Sequence, residues 1–198
     1  MATQGPNFPG TITSLANAGS SENAEAWVNP SNAGADDGTT TSITASTYDT
    51  PDISQLLVCS NFNFAIPVDA VSVDGITVEI DRNNAAGSAS DNRVQLAKGT
   101  TFASLVGSNL ADTATDWPAA LAIATYGGSA NLWGTTWTPA EVNASSFAVF
   151  LSVQADSNNT DVAVDFVRVT ITYTPAAAVP GPPASLRRRS ATRFLTFR

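Results

Sequence analysis

The sequence predicts an all-β protein, an antiparallel β-sandwich or jelly roll. Three observations carry this. Apolar and polar residues alternate with period two over residues 55–66, 75–82, 147–155 and 162–174. Lysine occurs only at Lys98 and glutamate only at Glu22, Glu25, Glu79 and Glu141, too few of either to clothe helices. The polar remainder is rich in Ser, Thr and Asn, which suits neutral strand faces and turns.

At 198 residues, 43% of them hydrophobic, the chain has room for one sizeable core and flanking arms. Residues 1–20 are Gly-, Pro-, Asn- and Thr-rich and read as an extended N-terminal arm. The body, residues 21–174, has its first apolar anchor at Trp27. Residues 39–47 are β-formers around Ile43 and predict an edge strand. Between 55 and 66, Phe62, Phe64 and Ile66 alternate with polar or small partners, and Pro67 ends the run.

Ile76, Val78 and Ile80 share one face of the next strand. Residues 83–92 read as a loop. Val94 and Leu96 point inward from a short strand over 93–98, and a further strand fits 120–126. Thr138, Pro139 and Glu141 form an N-cap, a proline at N1 and a first-turn acid, so one helical turn to about residue 143 is expected.

Phe147, Val149, Leu151 and Val153 line the core face of a strong strand, and Phe150 requires cover on the other face. Residues 156–161 are turn formers. In the last strand the apolar phase slips from Val162, Val164 and Phe166 to Val167, Val169 and Ile171, which predicts a bulge. Arg168 then lies on the polar face, with Asp165 its expected partner. Residues 175–184 form a Pro/Ala-rich linker and 185–198 an Arg/Phe-rich tail.

Residues 126–138 organise the body. They hold Trp133 and Trp137, with Gly134 between them arguing against a helix. These rings, with Trp117 and Tyr126, either plug one end of the sandwich or stand exposed as a stacking platform for a sugar or a partner. Large aromatics dominate core burial, which favours the plug.

Charge is unevenly placed. All 17 acidic residues fall at or before Asp165, against four basic ones, so the body carries −13. The tail carries the other five of nine basic residues, Arg187, Arg188, Arg189, Arg193 and Arg198, together with Phe194 and Phe197. The body's field argues against nucleic acid. Arginines with aromatics suit a protein interface, so the tail reads as an anchor to another subunit.

No histidine is present, which removes Ser-His-Asp and Cys-His chemistry and His/Cys zinc sites. Cys59 is the sole cysteine and reads as a small core residue. Phosphate-cradling glycine motifs are missing, as is any apolar run of transmembrane length or a secretory leader. An enzyme is not expected, and synthesis in a host cytoplasm is. The carboxylate pairs Asp36/Asp37, Asp112/Asp116 and Asp156/Asp161 read as solvated loop acids. No cofactor is expected, with Asp156, Asn158 and Asp161 of the hairpin a weak candidate for calcium.

The pieces VDGITVEIDR, DWP, YGGSANLWGTTWTPAEVNASSFAVFLSV and VDFVRVTITYTP resemble a β-sandwich module of tailed-bacteriophage virion and tail-appendage proteins. The likeness spans residues 27–174. It implies a structural or adhesive role on a virion, as a tail-fibre component or capsid decoration among other virion proteins. By analogy with phage fibres it implies a homo-oligomer, with a trimer favoured, and a host glycan or receptor as the alternative partner. The module brings no catalytic residues with it.

Overall fold

The computed structural model describes residues 1–16, 24–44 and 48–177. It is a sandwich of two antiparallel sheets. The larger contains β1 (Ala2–Asn7), β9 (Asp161–Thr174), β5 (Ser72–Ala86) and β7 (Ala122–Gly128), side by side in that order. Strand β3 (Thr41–Thr44) joins the early half of β9. The smaller sheet runs β2 (Thr11–Leu15), β4 (Leu56–Ser60), β8 (Ala148–Ala155), β6 (Ala89–Ala97). The expected all-β sandwich is what forms.

The period-two strands supply the core. Ile76, Val78 and Ile80 face Val149, Leu151 and Phe147 across the two sheets, joined by Val167, Val169 and Ile171, all fully buried. The outer face of β8 is also covered: Phe150 packs with Leu56, Val58, Ala97 and Ala148 under Leu15 and Leu105. Cys59 lies in the core, where burial pushes its thiol pKa up and withholds the thiolate. Leu151→Ala should cost about 2–5 kcal/mol in urea unfolding. A loss below about 1 kcal/mol would mean that Leu151 does not face the core.

The phase slip in the last strand is a bulge at Asp165: Asp81 pairs with Phe166 and Arg82 with Val164, leaving Asp165 as the extra residue. The helical turn α1 (Pro139–Asn143) forms with a capping box, in which Thr138 and Glu141 each accept the other's backbone N–H.

Four readings are corrected. The N-terminal arm is not an arm: β1 pairs with β9 and β2 with β4, so residues 2–15 contribute a strand to each sheet. Their backbone groups find partners that polar composition does not disclose. Residues 61–66 are not strand. Asn61 and Asn63 take left-handed backbone (φ 60° and 55°), a conformation asparagine tolerates, and this alternation still drives Phe62, Phe64 and Ile66 inward.

The expected loop at 83–92 is mostly strand: β5 and β6 run on to Ala86 and back from Ala89, and the chain crosses between sheets there. Lastly, Arg168 pairs with Glu79 (2.9 Å) and Asp36 (3.7 Å), not with Asp165. Arg168 and Glu79 sit directly opposite in the β5–β9 register.

Candidate functional site

The four rings lie inside the protein. Trp117, Tyr126, Trp133 and Trp137 are all buried, so none offers a face to a sugar or partner. Each is held by its polar handle, as buried Tyr and Trp require. The Trp133 indole donates to the Ile76 carbonyl (2.9 Å) and Trp137 to that of Leu132 (3.2 Å). Trp137 also meets Phe147 edge-on, with ring centres 5.3 Å apart. Gly127 lets the Trp133 indole approach: a Cβ there would strike both the Ile76 carbonyl and the indole nitrogen.

Trp117 and Tyr126 instead converge on one carboxylate, Asp91, which is 0% exposed. Asp91 accepts from the Trp117 indole (2.8 Å), the Tyr126 hydroxyl (2.8 Å) and the Asp112 backbone N–H (3.0 Å). Its fourth donor is the buried guanidinium of Arg82, which lies over the Trp117 ring at 4.7 Å. Burial, reinforced by the Asp91 charge, raises the Tyr126 pKa and keeps the phenol a donor. This hub stitches β5, β6, β7 and the 112–117 loop together. Sequence reasoning missed Arg82 and Asp91, because nothing in their spacing marks them as a pair.

What the outer face of the larger sheet does offer is a groove of about 310 Å³. It lies where β3, β9 and β5 run side by side. Ser42 and Asn83 flank Ala163 in register, so the small Ala163, with Ala85 nearby, makes the floor. Thr40, Ser42 and Thr44 give a wall of hydroxyls, Asp161 a carboxylate, and Leu121, 40% exposed, an apolar rim. The alternation of Thr40, Ser42 and Thr44 in the sequence was the available signal for this polar face.

Beside the groove on the same face lie Asp81 and Asp165. The backbone N–H groups of Asp37 and Gly38 donate to Asp165, and its pKa is nevertheless raised, first by burial. That of Asp81 is raised by burial and then by Asp165.

The 156–161 hairpin is held by two hydrogen bonds of Thr160 and Asn159. The Thr160 hydroxyl donates to the Ser157 carbonyl (2.7 Å), and Asn159, at φ 55°, donates its N–H to Asp49 (2.7 Å). Asp156 and Asn158 are exposed, and Asp161 faces the groove. Among the described residues no group of three acidic or thiol side chains gathers to hold a metal ion. Nor, among them, is any helix long and apolar enough to cross a membrane. The anchoring candidates Arg187, Arg188, Arg189, Arg193, Phe194, Phe197 and Arg198 lie outside the described residues, as does the linker from residue 178.

No protein-family model matches the chain, and no curated protein matches it either. Among solved structures it is similar to the N-terminal cellulose-binding domain of β-1,4-glucanase C from Cellulomonas fimi, at 9% identity and a TM-score of 0.33. That likeness covers 90% of this chain and 95% of the other, and at such a score it bears on neither ligand nor family.

Proposed function

We propose that this chain is a non-catalytic adhesive module on the exterior of a tailed-phage particle, a tail-appendage or decoration component that holds a neutral glycan on its larger sheet. The groove carries the glycan half of this reading. Its lining pairs hydroxyls, an amide and one carboxylate with an apolar rim at Leu121, the mixture that a hydroxylated, uncharged ligand requires. The buried rings of Trp117, Tyr126, Trp133 and Trp137 take no part, so the binding surface is polar rather than aromatic. Placement on a particle rests on the sequence resemblance. Attachment falls to the arginine-rich tail, with other virion proteins or sister copies as acceptors and a trimer as the favoured assembly.

A glycan array with the full chain tests the first half. Binding to at least one neutral oligosaccharide is expected, and Ala163→Trp, which fills the floor, should weaken it at least tenfold. Retention of full binding by Ala163→Trp, or no binding by the parent chain, would remove the groove from the reading. Immunogold labelling of purified particles tests the second half, and unlabelled particles would overturn it.

A further inference from the structure

Three buried oxygen atoms on the outer face of the larger sheet have no hydrogen-bond partner: Oδ1 of Asp81, Oδ1 of Asn83 and Oδ1 of Asp165. Asp81 and Asn83 are two residues apart on β5, and so share a face. Asp165 stands opposite them on β9, turned out by the bulge beneath the 34–38 loop and only 2% exposed. Each lone oxygen is an acceptor. A buried acceptor left unsatisfied carries a desolvation penalty, larger for a carboxylate than for an amide.

Arg168 acts on Asp81 through its charge but makes no hydrogen bond to any of the three oxygens. Arg168 is committed to Glu79 and Asp36. The one other arginine close by, Arg82, is turned inward to Asp91. Asp81 and Asp165 are therefore neighbouring acids, and although Asp165 accepts from the Asp37 and Gly38 backbone N–H groups and Asn83 donates its amide to the Ala119 carbonyl, one oxygen of each of the three side chains is left without a donor.

We infer that Asp81, Asn83 and Asp165 form a site for a single hard divalent cation of the calcium type, with water completing the shell. Oxygen-only donors select calcium over zinc or copper. Two carboxylates and one amide are a sparse set, consistent with the absence of a three-carboxylate group among the described residues. Sparse charge implies weak binding, with a Kd of about 10⁻⁴ to 10⁻³ M, as in extracellular modules. The site is separate from the 156–161 hairpin and adjoins the groove, with which it shares Asn83. It would tie β5, β9 and the loop above them into one unit.

The test uses the full chain after treatment with a chelator. Calcium chloride is titrated calorimetrically, and thermal unfolding is followed with 10 mM calcium chloride against sodium chloride of equal ionic strength. One saturable site and a Tm raised by several degrees in calcium alone are expected. Asp81→Asn and Asp165→Asn should each abolish both signals, while Asp156→Asn keeps both. If Asp165→Asn does not fold, Asp81→Asn, at the more accessible residue, decides. Absence of saturable heat, an equal Tm shift in sodium chloride, or signals that survive Asp81→Asn would overturn the assignment.

Discussion

Asp91→Ala should destabilise the protein by about 3–5 kcal/mol, the range for removing one partner of a buried ion pair. The carboxylate is fully buried and meets four donors, from Arg82, Trp117, Tyr126 and Asp112. Its loss leaves a guanidinium inside the protein with no counter-charge, and an indole and a phenol with no acceptor. The stranded Arg82 charge dominates, because neutral donors left unsatisfied cost less than a bare ion. Urea unfolding measures it. The double variant Arg82→Met with Asp91→Leu should recover much of the loss, since packed apolar groups can replace a buried pair at little cost. Equal losses in the single and double variants would show that the hub acts through shape, not charge.

Trp133→Ala should cost about 3–5 kcal/mol, as truncation of a fully buried tryptophan does. The Ile76 carbonyl also loses its indole partner. For a chain of this length the change corresponds to a fall in Tm of roughly 10 °C. A fall of less than about 2 °C would place the ring outside the core. Trp133→Phe should lie between, because it keeps most of the packing but not the hydrogen bond.

Strand identity was legible wherever one face meets the core. Ile76, Val78 and Ile80 on β5, and Val149 and Leu151 on β8, announce their faces by alternation, and the phase slip in β9 located the bulge to within a residue or two. The same rule failed at residues 61–66. An Asn in left-handed backbone before each Phe has the side-chain spacing of a strand without its extended backbone. Residues 2–15 failed in the opposite sense, since their pairing is backbone to backbone and Thr, Gly and Pro leave no apolar stripe to read.

The site was less legible than the fold. Composition located the large rings, but their burial depends on Asp91 and on the Ile76 carbonyl, which are far from them in sequence. Groove residues such as Ser42, Asn83 and Ala163 are ordinary types that register alone brings side by side. The three lone oxygens depend on the bulge, whose position periodicity could suggest but whose outward turn it could not.

The placement of β1 has a consequence for how the protein is made. Ala2 pairs with Tyr173, so the ribosome must translate the whole stretch between them before the two can meet. Strand β9 is also the partner of β3 and β5, so without it the larger sheet retains only the β5–β7 pairing. While the ribosome is still translating, residues 2–7 have no sheet to join. The larger sheet therefore assembles after residue 174 has cleared the exit tunnel, as a late step dominated by contacts distant in sequence, the kind that slow folding. A nascent chain stalled before β9 should stay sensitive to protease, whereas one released past residue 177 should become resistant.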